Sequence, residues 1–476
     1  MKITSWFRRL FNKMNIEVEP LNKKVLLDYI NDFRSSINRE WMLTGERYYQ
    51  TDTDINKRQM IRYVDEQPIV DITKANNRLS HPSYTKIVNE KINYLLTKDY
   101  SMTCEDETYL EQVKEVLGKK FKNTFKKLGY QASNKGIAWL HVYIENGSFK
   151  TLVLPSEQIV PVWADDQHEE LLSVIRFYDE KIYDLGERKT ITKVEHYHAQ
   201  GIDFYRLESN KLIEDVESVS HYEVDGVGYN WGKVPFIPFK NNMHEMPDIK
   251  MVKSLIDSYD LSRSDMANFI EEVRSLVYVL KGYGGESMSD FMRDLAYYRA
   301  INIDDPDSGG VDVLNPTMDV EAIKVHYEQL KRDLMDLGMS VNKDLDKIGS
   351  SPSGVALKFL YSGLDLKCND LENEFKCSFD ELLYFVNHFL GLTGNSVEEK
   401  EIELTFNRDI TINEMESVSM CVQSKGIVSD ETIIANHPFT LDVEREIENL
   451  KAQTEEQMKR EQEVFGSYND VDDQDE

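Results

Sequence analysis

The sequence predicts an α+β protein that is mainly helical, and three stretches carry the prediction. Residues 319–341 place Val320, Ile323, Tyr327, Leu330, Leu334, Leu337 and Val341 at alternating steps of three and four. That spacing draws one apolar stripe along a helix and suits packing against a second helix. Residues 355–391 contain no proline and one weak point, Gly363, so they can run as a single helix of about 55 Å at about 1.5 Å per residue. Residues 137–154 change to alternation, with Asn146-Gly147 between two apolar runs, the pattern of a β-hairpin with a two-residue turn.

Composition bounds the class. The 476 residues can fill two or three cores. An apolar content of 41% and a mean hydropathy of -0.51 fit a folded, soluble chain. The net charge of -29 argues against a protein that grips nucleic acid by its phosphates, because such affinity comes from clustered Lys and Arg. It leaves room for one that touches DNA without holding it. Cys104, Cys368, Cys377 and Cys421 form no CxxC pair, which reads as reduced thiols in a cytoplasmic setting.

The N-terminal arm, residues 1–35, starts with basic and bulky apolar residues mixed at helical spacing, without the apolar run and cleavage site of a secretory signal. It reads as an arm that docks on its own protein or a neighbouring subunit, with no stable membrane association. No other stretch approaches the ~20 apolar residues of a membrane span. Residues 22–129 are mostly helical in pattern, with Trp41, Tyr48 and Tyr49 as anchors. Strands follow the hairpin at 172–178, 193–199 and 203–207.

Helix returns at Pro247-Asp248, with Val252, Leu255, Ile256, Tyr259, Met266, Phe269, Ile270 and Val273 as its stripe. A short strand at 276–280, closed by Gly282, Gly284 and Gly285, begins a compact insert. A small helix at 287–298 and strands at 300–303 and 311–314 complete it, before Pro316. Ile348-Gly349-Ser350-Ser351-Pro352-Ser353-Gly354 breaks the heptad helix from the long one. Residues 411–424, 429–436 and 441–463 read as three helices. The tail at 464–476 is acidic and reads as solvated and disordered.

No catalytic, cofactor-binding or metal motif is complete. Gly226 stands one residue too far from Gly232-Lys233 for a phosphate loop, Val234 replaces the required Ser or Thr, and Pro235 blocks the helix. His196 and His198 share one face of a strand as metal ligands can, but the pattern offers no third ligand. Asp304-Asp305-Pro306-Asp307-Ser308-Gly309-Gly310 resembles a calcium loop, yet Pro316 occupies the position of the bidentate Glu, and a turn between strands explains it better. The sequence therefore predicts no enzyme and no cofactor.

Five stretches, in order, resemble the portal proteins of tailed double-stranded DNA bacteriophages, of the type found in long-tailed phages of Gram-positive hosts. They are Asn77-Arg78-Leu79 with residues 88–96, Trp231 to Phe239 with Asn241-Asn242, and Leu255 to Asp260 with Ser264-Asp265. Leu280-Lys281-Gly282-Tyr283 follows, then Ser353 to Lys358 with Tyr361-Ser362-Gly363-Leu364, the most specific of the five. The resemblance implies the phage portal fold of wing, stem, clip and crown, assembling as a ring around a central channel. The ring is typically of twelve copies, sits at one capsid vertex of the virion, and passes double-stranded DNA during packaging and ejection.

Mapped onto this chain, 36–246 is the wing, 247–274 the first stem helix, 275–317 the clip and 318–341 the second stem helix. Residues 342–353 are the tunnel loop, 354–410 the long wing helix and return strand, and 411–463 the helical crown. The implied partners are further copies of the chain, the packaging terminase, the major capsid protein and scaffold, and the head-to-tail connector. Synthesis would be in the host cytoplasm.

Twelve copies would carry 12 × -29 = -348 formal charges, so sparse cations in the channel matter by position. Lys343 and Lys347 would form two rings that touch phosphates transiently while Asp344 and Asp346 keep the contact weak, with Asn342, Ser350 and Ser351 beside them. The heptad stripe is expected to be buried between helices of one subunit and its neighbour. Two other classes stand beside this one. An elongated virion or scaffold protein without a DNA channel is disfavoured by the β-rich middle, and a packaging enzyme by the missing phosphate loop.

Overall fold

A computed structural model describes residues 21–72, 74–184, 187–273, 277–281, 287, 289, 310–314, 319–341, 354–394, 400–408, 414–440 and 443–469. The chain divides into two compact units, Met1–Val341 with Gly363–Arg408, and Asn342–Ser362 with Asp409–Glu476.

In the first unit, helix α1 (Lys23–Arg34) is capped by the Asn22 side chain, which accepts from the Lys24 amide at 3.0 Å. Residues 23–34 were expected within an arm. They dock on the chain's own sheet, with Leu26 and Ile30 fully buried against Val160, Val162, Ile175, Phe177, Val194 and Tyr205. Two apolar residues four apart suffice to seat one face of a short helix on a sheet. Helix α2 (Ile37–Tyr49) follows, capped by Ser36. The hairpin of β1 (Ile61–Val64) and β2 (Gln67–Val70) precedes α3 (Ser83–Leu96). Strand β3 (Ser101–Thr103), α4 (Glu107–Leu117) and α5 (Phe121–Lys135) complete the helical part.

The expected hairpin is β4 (Ile137–Glu145) with β5 (Ser148–Leu154). Asn146 and Gly147 both have positive φ, 51° and 69°, as a two-residue turn between right-twisted strands requires. A third strand, β13 (Phe236–Lys240), pairs with β4. Strands β6 (Ile159–Trp163), β7 (Leu171–Asp184), β8 (Glu187–His198), β9 (Gly201–Glu208) and β10 (Lys211–Val219) form an antiparallel meander in sequence order. Periodicity located three of these five. Strands β6 and β10 escaped it because Pro161 interrupts one and the other is mostly exposed. A small hairpin, β11 (Tyr222–Val224) and β12 (Val227–Tyr229), occupies the stretch that superficially resembled a phosphate loop.

Helix α6 (Ile249–Val273) and helix α7 (Val320–Leu337) flank the paired strands β14 (Val277–Lys281) and β15 (Gly310–Leu314). The expected small helix at 287–298 and strand at 300–303 lie outside the described residues, as does the acidic loop at 304–309. Helix α8 (Gly354–Leu392) is continuous over 39 residues. Within the first unit its buried face reads Leu364, Cys368, Leu371, Phe375, Phe379, Leu382 and Val386, a three-and-four spacing. Phe375 and Phe379 meet Phe125 at ring-centroid distances of 6.2 Å. Phe239 and Phe406 close on the same ring, at 6.2 and 5.3 Å. Strand β16 (Glu403–Thr405) returns to pair with β3.

The second unit contains α9 (Glu414–Gln423), α10 (Asp430–Ala435) and α11 (Val443–Asn469). The Ser429 side chain caps α10. Helix α11 runs six residues into the stretch expected as a disordered tail. The acidic run begins only at Asp470, and nothing between Glu463 and Asn469 forbids a helix. Residues 470–476 lie outside the described residues. No described helix is long and apolar enough to cross a membrane.

Candidate functional site

Helices α6 and α7 pack side by side. Tyr327 of α7 donates its hydroxyl to the Ser262 carbonyl at 2.7 Å, its ring meets Tyr259 at 6.3 Å, and the Arg263 guanidinium lies 5.0 Å from it. The heptad residues divide in an unexpected way. Leu330 and Leu334 are buried inside this one chain, and Ile323 and Tyr327 are partly covered. Val320 opens the helix, whereas Leu337, its last residue, is 57% exposed. Val341 is buried but lies beyond the helix. Gly338 ends α7, and Met339 follows with a φ of 51° that a continuing helix does not permit. The stripe is thus partly an internal seam. Val325, which the heptad omitted, is 58% exposed on the same helix.

The polar side of α6 is stitched to residues 47–79. Tyr48 donates to Asp257, whose other oxygen lies 2.6 Å from Lys253, and Lys253 also holds Asp54 at 2.6 Å. Burial would raise the Asp54 carboxyl, but Lys253 and Arg47 hold it at about 2. Buried Asp260 accepts from Thr53 at 2.6 Å and faces His81 Nδ1 at 2.8 Å. The Asn77 amide donates to Asn268 at 2.6 Å, and the Leu79 amide to Ser264 Oγ at 2.9 Å. Two of the stretches that carry the family resemblance therefore meet each other here.

A buried charged cluster joins α3, the start of α6, the end of α7, and α8. Lys91 is 1% exposed, Asp248 4% and Lys367 7%. Both ammonium groups stand 3.3 Å from Asp248 Oδ2. Asn241 accepts from Lys91 at 2.6 Å and donates to Asp248 at 3.0 Å. Lys367 also donates to the Gly338 carbonyl at 3.2 Å, a cation on the open C-terminus of α7. Glu90 accepts from the Ser340 hydroxyl and, at 3.2 Å, from the Val341 amide. Burial would raise Asp248, but Lys367 and Lys91 hold its carboxyl below the usual range. Burial lowers Lys91 against the pull of Asp248. Sequence reasoning missed this cluster, because no periodicity links residues 91, 248 and 367.

The segment after this anchor was expected as the tunnel loop. Asn342, Lys343, Asp344, Asp346, Lys347, Ser350 and Ser351 all lie outside the described residues.

The strand histidines gain a third group from the neighbouring strand. His196 and His198 do share a face of β8, and β9 supplies the carboxylate that the strand pattern lacked: Asp203 is paired across from His196. Hydrogen bonding to the two imidazoles holds the Asp203 carboxyl well below the usual range. Burial pulls His196 below the ordinary imidazole value. It also pulls on His198, but contacts with Asp203 and Gln200 outweigh it and raise that ring. Among the described residues this is the one group of His, Cys, Asp and Glu side chains placed to share a metal ion.

Comparison with known proteins places this architecture. A phage portal protein family, SPP1 Gp6-like, matches residues 36–460. The portal protein of Clostridium phage phiCD119 is 32% identical over 447 residues, covering 90% of this chain and 96% of that protein. The portal protein of Bacillus phage SPP1 is 32% identical over 444 residues, covering 91% and 86%. Solved chains from the virion and from the neck of a native gene transfer agent particle align with a TM-score of 0.40 each, at 12% and 13% identity. They cover 74% and 75% of this chain and 88% and 90% of theirs. The chain belongs to the SPP1 Gp6-like family of phage portal proteins.

Proposed function

We propose that this portal protein closes into a ring, of twelve subunits when in the virion, at one vertex of the capsid. Double-stranded DNA enters through the ring during packaging and leaves through it during ejection. The family match over residues 36–460 carries this reading. The exposed apolar side chains of the paired helices support it: Leu261 and Ile270 on α6, and Val325 and Leu337 on α7. Apolar residues on adjoining helices are a liability on a free monomer and a seam in an assembly. The acidic charge of -29 per chain suits a conduit, since each phosphate neutralised adds affinity that translocation must break.

In this reading the ring binds the packaging terminase first and the head-to-tail connector later, and it meets the capsid protein and scaffold. The chain performs no catalysis. Lys343 and Lys347 touch phosphates in passing. Electron microscopy of the purified protein tests the ring: particles with an axial hole wide enough for duplex DNA are expected, and monomers or open filaments would refute it. Packaging and ejection unchanged after Lys343→Ala with Lys347→Ala would refute the phosphate contact.

A further inference from the structure

We propose that His196, His198 and Asp203 bind one divalent transition-metal cation of the zinc class, at the turn from β8 into β9.

The strand geometry puts the three side chains together. His196 and His198 are two apart on β8 and so point to one face. Asp203 is registered directly opposite His196, which places it on that same face. One carboxylate oxygen, Oδ2, lies 3.3 Å from His196 Nδ1 and 3.3 Å from His198 Nε2. All three ligand atoms fall within 4.8 Å of one another.

Those spacings are informative. A charge-assisted N–H···O bond prefers about 2.7–2.9 Å. Ligands held at about 2.0–2.1 Å around a tetrahedral cation stand about 3.3–3.4 Å apart. Two of the three edges already have that length, and the third lies within 4.8 Å. His198 Nε2 is buried, and the polar group it faces is the Asp203 carboxylate.

The surrounding groups orient the ligands. Ser218 donates to Asp203 Oδ1 at 2.5 Å, leaving Oδ2 to face both rings. His198 Nδ1 lies 3.1 Å from Gln200 Oε1 and accepts from the Gln200 backbone amide at 3.3 Å. Both contacts engage Nδ1, so Nε2 is the ring nitrogen that faces the carboxylate. Such outer contacts are the usual supports of a metal-ligating histidine and carboxylate. His196 Nε2 is buried without a hydrogen-bond partner, so the ring's polar engagement is through Nδ1. Two imidazoles and one carboxylate suit Zn²⁺ among the common cations, with water in the fourth position. The cation would pin β8 to β9 at their turn, and Ser218 would tie in the end of β10.

The test is metal binding by the full-length protein after chelation and dialysis. Titration with Zn²⁺ is expected to show one site per chain, and Co²⁺ as a probe should give the visible absorption of a tetrahedral site. His198→Gln and Asp203→Asn should each weaken Zn²⁺ by at least about tenfold, while His244→Gln, at an exposed histidine elsewhere, should bind as the parent does. His198 is the least buried of the two imidazoles, and circular dichroism confirms that its variant is folded. No stoichiometric Zn²⁺ uptake by the parent protein would overturn the proposal. So would undiminished uptake in both variants. Either result leaves an ion-paired triad without metal.

Discussion

The Lys367 ammonium stands 3.3 Å from the Asp248 carboxylate, joining helix α8 to the residue just before helix α6. The same ammonium donates to the carbonyl of Gly338, which ends α7. One side chain on the long helix therefore holds both members of the α6–α7 pair.

Asp248 is the single carboxylate between two buried ammonium groups, so its loss should cost more than the loss of either lysine. Asp248→Asn leaves both cations uncompensated and is expected to destabilise the fold by about 3–5 kcal/mol. Lys367→Met leaves the Lys91–Asp248 pair balanced and should cost clearly less. Urea denaturation of the two variants measures the order, and the reverse order would contradict this account. The sign with pH follows from the lowered Asp248 carboxyl. Its contribution is complete above the ordinary value of 3.8 and is lost as pH falls below it through the folded value.

Gly45 marks a close helix crossing. A Cβ built there lies 1.9 Å from the Asn134 carbonyl oxygen, a backbone atom of α5. Gly45→Ala should raise helix propensity yet destabilise, by at least about 1–3 kcal/mol, because the two helices must separate. A thermal melt unchanged or raised by the substitution would disprove the crossing.

His141 donates from Nδ1 to the Pro235 carbonyl at 2.9 Å, with Phe236 tilted beside its ring and Tyr197 edge-on to it. Burial pulls its imidazole from 6.5 down to about 4, against the opposing effect of that carbonyl. The unfolded chain takes up this proton near pH 6.5 and the folded chain only near 4, so stability falls as pH drops between those values and levels off below. The slope from this group approaches about 1.4 kcal/mol per pH unit. His141→Gln should flatten that part of the curve, measured as urea midpoint against pH.

Under the proposed ring, buried and exposed residues of α7 should separate folding from assembly. Leu330 is 8% exposed within one chain, so Leu330→Asp should destabilise the subunit itself. Val325→Asp and Leu337→Asp alter exposed positions. They should leave the melting temperature nearly unchanged while preventing ring closure in analytical ultracentrifugation. Normal rings from both exposed-site variants would remove α7 from the subunit seam.

Much of the first unit was legible as pattern. The α7 stripe, the α8 helix and the Asn146-Gly147 hairpin each depend on neighbours within a few turns or a few residues, and such spacing is written along the chain. The boundaries were less legible. Helix α7 stops at Leu337 rather than running to Val341, because Met339, with a φ of 51°, leaves the helical region just after Gly338. Where residues 23–34 dock was not legible, because the sheet that covers Leu26 and Ile30 is built from residues 159–219.

The sequence by itself determined the family, the mainly helical α+β class and the acidic character, since all three reside in residue order and composition. Tertiary structure alone decided which stripe residues face inward, that Asp203 stands beside His196 and His198, and that Lys91, Asp248 and Lys367 meet. The physical reason is range. Helical and strand periodicity report local geometry, whereas a buried charge needs partners that folding brings from distant parts of the chain, and no local pattern encodes that meeting.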